Sequence, residues 1–543
     1  MSERKDRMPG RWREPLVFLL FLAGAMVFTY PLVRNLRTAV TDHVDPLLDA
    51  WALSWVAHQL PRDPVHLFDS NRFYPEKGTL AFNDPMVGVG AVLAPVQWAF
   101  GEPILALNLG MLFALALSGY GAYRLAAYLT ASPLAGAVAG SIFAFNSYRM
   151  DHVAHMQLQA AGFIPLLYVC LHRYVEEGRP RHAVGIAVFL WFVCASSAYY
   201  GIFTWILLAI AIPYELWRTS SPARPRRILG LGLALSISAL AYLPLAIPFM
   251  RLRSDFGVER PLPRLQRASA RPSDYLRSGS HVHRAAGLKP ASAERSLFPG
   301  FLALGLSLVA FARPNRALGL YLLLGATAFW ASLGPAWGLY RLLYESVPGL
   351  SGVRVPPRLA IYVLLAASVL AAYGAALVLR KIPASSRSGA AAIFAALPLV
   401  ESFAGPIPYN RAPEVPEVYR WVARLPGTAP IVELPLPELK RQRDNAVYLY
   451  WSTTHFQPLA NGYGTVVPPV YADLVSTLRT FPDERGVAKL SELGFRYVIF
   501  HRDRYLRSRA EELERRLDAA PGLTMAHEAG SAVVYEIRHP GRR

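Results

Sequence analysis

The sequence predicts a polytopic α-helical membrane protein with about eleven spans, followed by a soluble α/β domain. Of its 543 residues, 53% are hydrophobic and 17% are charged, whereas soluble proteins carry roughly a quarter charged residues. The apolar residues gather in blocks that approach the roughly 20 residues needed to cross a bilayer. After Gly405 these blocks give way to short, strand-like segments.

The first span, residues 16–33, follows a basic N-terminal segment. No small-residue cleavage site follows the apolar run, so we expect it to remain as an uncleaved anchor. Basic residues flank spans on the cytoplasmic side, which predicts a cytoplasmic N-terminus and an outer loop over residues 34–102. Within that loop, residues 86–101 are apolar, short and interrupted by Pro95, which suggests a helix in or re-entering the outer interface. The basic residues that set this orientation are Arg4, Lys5, Arg7, Arg11 and Arg13.

The later spans alternate so that every short basic turn lies on the cytoplasmic side. One long loop, residues 251–295, departs from this rule: it carries ten basic residues, yet the topology places it outside. It either meets phosphate on a lipid or polysaccharide, or is a solvated, partly disordered loop. The clearest of the later spans are residues 103–127, 134–145, 158–171, 228–249, 359–379 and 390–403.

The C-terminal segment reads as alternating helices and strands. "VYRWVARLPG" has a helical pattern, and "APIVELPLP", "FRYVIFH" and "AVVYEIR" have strand patterns. The sequence therefore predicts two domains: a transmembrane domain over residues 1–405, and an extracytoplasmic α/β domain over residues 406–543.

Several function classes are disfavoured. Both cysteines, Cys170 and Cys194, lie in apolar blocks, which argues against a disulfide framework or a thiolate metal site. Common nucleotide-binding and hydrolase motifs are missing in a sensible context. The net charge of +19 is explained by basic residues meeting anionic lipid head groups, so no nucleic-acid partner is predicted.

The first outer loop supplies the leading candidates for chemistry. In "TDHVDPLLDAW", Asp42, Asp45 and Asp49 follow one another at spacings of three and four. Asp42 and Asp45 could bind Mg²⁺, Mn²⁺ or Ca²⁺, or act as a general base. Alternatively, Asp45 before Pro46 begins a helix. Asp49 is expected to be an ordinary helix residue, and the nearby tryptophans, Trp51 and Trp55, to be interfacial anchors.

A second polar group lies in the next outer loop, "RMDHVAHMQ". On a helix, His152 and His155 would face the same way, beside Asp151. Asp151, His152 and His155 are therefore candidate metal ligands or bases, and Arg149 a candidate substrate contact. Alternatively, at least one of these histidines only hydrogen-bonds backbone.

Two arginines in "GVRVPPRLAIY" are candidate phosphate ligands. Arg354 and Arg358 precede a span, and a guanidinium fork binds phosphate or pyrophosphate well. The alternative is snorkelling to lipid head groups. Tyr200, in the outer turn "SSAYY", is a weaker candidate because interfacial tyrosines are common.

These residues, in this order, resemble the GT-C superfamily of integral membrane glycosyltransferases, which includes protein mannosyltransferases and aminoarabinose lipid A transferases. The chain is especially similar to bacterial GT-C-like proteins with "DPLLDAWALSW", "FAFNSYRMDHVAHMQLQ" and "NGYG". Its Asp-x-x-Asp differs from the family's Asp-x-Asp, and it has no "WWD" signature. The resemblance implies an enzyme of the bacterial inner membrane that transfers a sugar from a polyprenyl-phosphate carrier to an extracytoplasmic acceptor, typically with inversion.

Residue roles follow from that resemblance. Asp42 would accept the acceptor's proton, and Arg354 or Arg358 would stabilise the leaving phosphate. A divalent metal, Mg²⁺ or Mn²⁺, could be held by Asp45 and Asp151, with His152 and His155 as further ligands. Two other hypotheses remain: a transporter or flippase of lipid-linked sugars, and an inactive relative that scaffolds an envelope complex.

Overall fold

The computed structural model describes residues 13–219 and 223–538, and most of them are helical. Arg4, Lys5, Arg7 and Arg11, which predicted a cytoplasmic N-terminus, lie outside the described residues. Along the first half of the chain the helices are α1 (Arg13–Phe28), α2 (Asp45–Gln59), α3 (Val87–Phe100), α4 (Pro103–Thr130), α5 (Pro133–Ala144), α6 (Ser147–Met150), α7 (Met156–Gln159), α8 (Phe163–Glu177), α9 (Pro180–Ser196), α10 (Ala198–Arg218), α11 (Arg224–Phe256) and α12 (Leu262–Ala268).

The second half carries shorter helices and most of the strands. The helices are α13 (His281–Ala285), α14 (Phe301–Ala310), α15 (Arg316–Ser332), α16 (Leu339–Ser346), α17 (Ala360–Lys381), α18 (Arg387–Ser402), α19 (Val418–Val422), α20 (Ala446–Ser452), α21 (Pro469–Thr477), α22 (Glu484–Glu492) and α23 (Arg507–Ala519). The strands are β1 (Ala39–Val40), β2 (Asn410–Arg411), β3 (Ile431–Leu434), β4 (Tyr497–His501), β5 (Leu523–Ala529) and β6 (Ala532–Ile537).

Among the described residues, four helical segments are long and apolar enough to cross a membrane: Pro103–Thr130, Ala198–Arg218, Arg224–Phe256 and Pro356–Lys381. Helices of this kind support a membrane location for the protein. Shorter apolar helices, including α3, accompany them. The count of about eleven spans and the orientation of the termini stay predictions.

The chain divides into two compact units. The first, the membrane unit, comprises residues 1–36 and 108–408, and the second, the mixed unit, comprises residues 37–107 and 409–543. Most of the predicted first outer loop thus shares a unit with the C-terminal segment. The proposed domain boundary near residue 405 stays a prediction.

The membrane unit is built around α17, which is buried along most of its length. α17 packs against α14, α15 and α5. Gly374 lies where α17 crosses α14, and a Cβ atom there would collide with the backbone carbonyl of Leu306. This glycine is therefore required by close helix packing, which small residues permit in membrane proteins.

The mixed unit contains a four-stranded sheet in the order β3-β4-β6-β5. β3 and β4 are parallel, whereas β6 pairs antiparallel with both β4 and β5. The predicted strand segments correspond to β3, β4 and β6, and β5 is an additional strand. A small antiparallel pair, β1 with β2, joins the beginning of the first loop to the C-terminal segment of this same unit.

The prediction that Trp51 and Trp55 are interfacial anchors is wrong, because both are buried in the mixed unit. Trp51 donates its indole hydrogen bond to Asn71 Oδ1 at 3.0 Å, and Trp55 donates to the Leu67 carbonyl at 2.8 Å. The Arg72 guanidinium lies 4.7 Å from the centre of the Trp51 ring. A buried indole usually needs such an acceptor, so these tryptophans fix the first loop from within.

Replacing Gly374 tests the packing of α17 on α14. We expect Gly374→Ala to destabilise the protein by about 1–3 kcal/mol, the usual cost of overpacking a core, because the colliding atom belongs to backbone. The measurement is the thermal unfolding midpoint of the detergent-solubilised protein. Gly305→Ala on α14 is the control, since nothing lies within 4 Å of its added methyl group. Equal midpoints for the two variants would contradict this packing.

Candidate functional site

In the membrane unit, the Glu294 carboxylate lies between the side chains of Arg358 and His152. Arg358 donates to Glu294 Oε1 through Nη2 at 2.7 Å and through Nε at 3.1 Å. His152 Nε2 lies 3.2 Å from the other carboxylate oxygen. Burial alone would raise the pKa of Glu294, but Arg358 and His152 outweigh it and hold that pKa well below its usual range. Glu294 is therefore a permanent anion at neutral pH.

Arg358, one of the predicted phosphate ligands, is almost fully buried. Pro356 and Pro357 open the short helical turn that carries it at the start of the α17 segment. Its guanidinium lies 4.6 Å from the centre of the Tyr199 ring, as well as on Glu294. Because one carboxylate already neutralises it, Arg358 positions neighbouring groups rather than presenting a free charge.

His152 contacts its surroundings through both ring nitrogens. Its Nδ1 donates to the Tyr148 carbonyl at 2.7 Å, and its Nε2 faces Glu294. Across residues 13–219 and 223–538 there is no group of three or more His, Cys, Asp or Glu side chains arranged for a metal ion. The divalent metal stays a prediction of the sequence.

Asp151 and His155 flank this ion group. Burial is the main reason why the pKa of Asp151 is raised above its usual value, although Ser296, His152 and Arg284 oppose the change. The Asp151 carboxylate packs directly against Gly279, where a Cβ atom would lie 2.5 Å from Oδ2. His155 precedes α7, and its ring centre lies 5.7 Å from that of His152.

Arg149 and Tyr200, the other predicted substrate contacts, are buried in the same unit. Arg149 donates to the Gln159 carbonyl at 2.8 Å, and Gln159 returns a hydrogen bond to the Arg149 carbonyl. Tyr200 donates to the Leu158 carbonyl at 3.1 Å. Burial lowers the pKa of Arg149 to about 10. Both side chains organise the turn after α6, and their contact with substrate stays a prediction.

Arg354, by contrast, is exposed and belongs to a cluster of positive charge. Burial is the main cause of the lowered pKa of Arg260, and the charges of Arg264 and Arg354 lower it further. We call Arg260, Arg264 and Arg354 the arginine group. The Arg260 Nε atom is buried and has no hydrogen-bond partner among the described residues. Sequence reasoning missed Arg260 and Arg264, although the basic excess of residues 251–295 contained the signal.

That basic loop is not the disordered segment of the alternative interpretation. It continues α11 and then forms α12 and α13. The Arg260 backbone N–H donates to the Ser351 carbonyl at 3.0 Å, which joins the loop to the segment carrying Arg354. Tyr344 donates to the Arg260 carbonyl at 3.1 Å. The loop is therefore fixed where it brings the arginine group together.

Asp42 and Asp45 lie in the mixed unit, at the N-terminus of α2. Asp42 Oδ1 accepts hydrogen bonds from the backbone N–H of Val44 at 2.8 Å and of Asp45 at 3.2 Å. Asp45 is the first residue of α2, followed by Pro46, and its Oδ1 lies 3.5 Å from the Tyr463 hydroxyl. Asp45 thus begins a helix, as the alternative interpretation holds, and Asp42 accepts the hydrogen bonds that fix this helix start.

The "NGYG" segment (Asn461–Gly464) positions Tyr463 beside Asp45. Gly462 and Gly464 do not have positive φ angles. Their lack of a side chain matters instead, because a Cβ atom would lie 2.5 Å from the Phe73 ring and 2.9 Å from Phe82, respectively. Asn461 pairs with the backbone of Glu433 in β3 through both its amide groups.

Arg72, which sequence reasoning also missed, holds the Asn461–Gly464 segment in place through hydrogen bonds. The side chain is fully buried and donates to the carbonyls of Tyr463 and Thr79, at 2.5 Å and 2.6 Å, and to Asn83 Oδ1 at 2.8 Å. Burial lowers its pKa to about 9, so it stays protonated at neutral pH. A single arginine in "DSNRFYP" gives no signal of this role, because its partners are backbone carbonyls far away in sequence.

No protein-family model matches this sequence, and no curated protein does. Among solved structures, the arabinofuranosyltransferase AftD from Mycobacteria matches with a TM-score of 0.58 and 14% identity, over 98% of this chain and 40% of AftD. The oligosaccharyltransferase of Archaeoglobus fulgidus gives 0.49 and 13%, over 91% and 69% of the two chains. ArnT from Cupriavidus metallidurans bound to undecaprenyl phosphate gives 0.37 and 14%, over 95% and 97%.

The match to AftD shows a shared fold. The GT-C resemblance stated from the sequence is therefore confirmed at the level of fold. This chain spans about 40% of the length of the AftD chain that it matches.

Replacing Glu294 tests the ion group in the membrane unit. Glu294→Gln should destabilise the protein by about 2–3 kcal/mol near pH 7, because Arg358 and His152 lose a charged partner. A carboxyl with a depressed pKa stabilises the fold above its unfolded value of 4.5, and this contribution is lost as the pH falls through the folded value. The measurement is the thermal midpoint of wild type and variant between pH 8 and the acid limit of folding.

Glu259→Gln serves as the control, since Glu259 forms a half-exposed ion pair with Arg253. Exposed pairs contribute only about 0–1 kcal/mol. A Glu294→Gln midpoint equal to that of the control at pH 7 would show that the ion group does not stabilise the fold.

Proposed function

We propose that this protein is a membrane glycosyltransferase that transfers a sugar from a polyprenyl-phosphate carrier to an extracytoplasmic acceptor, with inversion at the sugar. The acceptor would be a lipid, a polysaccharide or a protein. The fold shared with an arabinofuranosyltransferase supports this class of reaction. The observation that carries the proposal is the arginine group beside the start of the candidate span Pro356–Lys381.

The arginine group suits a phosphate that is anchored in a membrane. A polyprenyl tail stays in the hydrocarbon, so its phosphate remains at the surface, where Arg354 precedes a span. Guanidinium groups bind phosphate through paired, charge-assisted hydrogen bonds. Arg260, Arg264 and Arg354 repel one another in the absence of an anion, and the buried Nε of Arg260 has a donor to offer. A bound phosphate would reduce the repulsion among the three guanidinium groups and would accept a hydrogen bond from Arg260 Nε.

During transfer, the bond between the sugar's anomeric carbon and the phosphate oxygen breaks, and its electron pair remains on the phosphate. We assign the arginine group to stabilise that growing charge. Arg358 would act as a positioning residue, because Glu294 already neutralises it and Tyr199 contacts its guanidinium. Metal at Asp45, Asp151, His152 and His155 is not required by these roles.

Asp42 is assigned as the general base. Its Oδ1 is fixed by two backbone N–H groups, which keeps the carboxylate oriented. As the acceptor oxygen bonds to the anomeric carbon, its proton would pass to Asp42, a role typically worth about 10² to 10⁴ in rate. Asp45, held near Tyr463, would orient the acceptor or Asp42.

A transporter of lipid-linked sugars is the second candidate. Such proteins place ionisable residues and broken helices near the middle of the bilayer. In the four candidate spans, the charged side chains instead lie towards the ends, as with Arg358 and Arg380 in one span and Glu215 and Arg218 in another. This distribution favours the enzyme.

The proposal is tested with purified full-length protein in liposomes, a panel of polyprenyl-phosphate sugars, and extracted envelope acceptors. We expect Arg264→Ala with Arg354→Ala to raise the KM for the donor at least tenfold, roughly the effect of losing one charged hydrogen bond. We expect Asp42→Asn to lower kcat by about 10² to 10⁴ without a comparable change in KM.

Arg313→Ala is the matched control, because Arg313 is exposed in the short turn between α14 and α15. The proposed roles fail if the folded double arginine variant has the KM of this control, or if Asp42→Asn keeps the wild-type kcat. Asp42→Glu separates a lost base from a misfolded loop, since it retains the carboxylate and should retain part of the activity.

A further inference from the structure

A buried carboxylate and a histidine lie side by side at the carboxyl ends of β3 and β4 in the mixed unit. Glu433 in β3 and His501 at the end of β4 are both almost fully buried. Glu433 Oε2 lies 2.7 Å from His501 Nε2, and Glu433 Oε1 accepts a hydrogen bond from the Tyr419 hydroxyl at 2.8 Å. The carboxyl ends of parallel strands are where sheets of this kind bind ligands.

The other ring nitrogen of His501, Nδ1, is buried and has no hydrogen-bond partner among the described residues. The ring is enclosed by aromatic side chains, with ring centres at 5.4 Å for Trp451, 5.5 Å for Tyr448 and 6.1 Å for Tyr419. A buried polar atom left without a partner is unfavourable, so it calls for an explanation.

Two further N–H groups around Tyr419 are also buried without a hydrogen-bond partner among the described residues. The Trp451 indole N–H is buried without a described partner, and the ring lies 5.7 Å from that of Tyr419. His455 stacks on Tyr419 at 5.4 Å and accepts a hydrogen bond from the Gln457 N–H at Nδ1. Burial lowers the pKa of His455 to about 3, so the neutral ring carries its proton on Nε2. That Nε2 is also buried and unpartnered within the described chain.

Arg504 adds a positive charge beside two of these aromatic rings. Its guanidinium lies 4.7 Å from the centre of the Tyr448 ring and 5.5 Å from that of Trp451. The residue is half-buried, and it forms no salt bridge to any side chain in residues 13–219 or 223–538. Arg504 thus covers the aromatic side chains while keeping its charge unneutralised.

We propose that these residues form a second ligand site, the His501 cluster, which binds one oxyanionic group, a carboxylate or a phosphate. The cluster consists of Tyr419, Glu433, Trp451, His455, His501 and Arg504.

The charges and donors of the cluster agree with this ligand. When both of its ring nitrogens carry protons, His501 offers Nδ1 as a donor while Nε2 faces Glu433. The pair is then neutral, and Arg504 leaves one positive charge for a monoanion to balance. Three ring N–H groups and a guanidinium are all donors, which suits oxyanion oxygens and leaves a neutral hydroxyl without an acceptor. This site goes beyond the proposed function and does not rest on it.

The test measures ligand binding to the purified full-length protein in detergent, by isothermal titration calorimetry and by the thermal midpoint. The probes are glucuronate, inorganic phosphate and, as a neutral sugar with the same ring, glucose. We expect saturable binding of glucuronate or phosphate and none of glucose. Trp451→Phe removes one N–H and keeps the ring, and it should weaken binding about tenfold, equivalent to about 1.4 kcal/mol. Arg504→Ala should weaken it at least as much.

Two controls separate this site from others. Arg507→Ala, at a 94% exposed side chain of the following helix, should bind as wild type does. Phosphate binding that persists in the Arg264→Ala, Arg354→Ala double variant, and that Arg504→Ala then weakens, distinguishes the His501 cluster from phosphate capture by the arginine group. Failure of the proposed glycosyltransferase activity would leave these binding results unaffected.

The choice between the two anionic probes identifies the natural ligand. Binding of glucuronate alone indicates an acidic sugar, and binding of phosphate alone indicates a phosphate ester. The proposal is overturned if neither anion binds saturably, the result expected if the cluster holds only buried water. It is also overturned if folded Trp451→Phe and Arg504→Ala bind with wild-type affinity.

Discussion

The organisation of the membrane unit at the start of α17 depends on one carboxylate, Glu294. A buried guanidinium is unfavourable alone, because desolvation penalises its charge. Glu294 compensates the charge of Arg358 through one oxygen and faces His152 through the other, which connects the α17 segment, the turn after α6 and the loop before α14. Arg354 is exposed and lies on the short segment that precedes Arg358, so the buried ion group fixes the backbone that carries Arg354.

The mixed unit uses the same principle with different partners. Arg72 is buried among backbone carbonyls, and it draws the first loop and the "NGYG" segment together. Tyr463 reaches Asp45 because Gly462 and Gly464 pack against Phe73 and Phe82. In both units, then, a buried arginine with several hydrogen bonds holds together the segments that carry the residues proposed for chemistry.

Composition and local pattern were sufficient for the features that depend on short-range chemistry. Apolar blocks predicted the long helices, period-two segments predicted β3, β4 and β6, and the order of motifs indicated the GT-C fold. Roles that depend on partners far away in sequence were not predictable. Trp51 and Trp55 are core residues, which their sequence neighbours do not indicate. Arg260 and Arg264 form a cluster of charge only because the fold brings them close to Arg354. The His152–Glu294 contact joins residues 142 positions apart, which no local spacing encodes.

The central claim is that the chain breaks the bond between a sugar and a polyprenyl phosphate. The most direct measurement is the stoichiometry of the reaction in liposomes, with the released polyprenyl phosphate and the glycosylated acceptor quantified by mass spectrometry. The account predicts one polyprenyl phosphate released for each sugar transferred, with both products lost together in Asp42→Asn. Movement of intact donor across the bilayer, with no polyprenyl phosphate released, would contradict it.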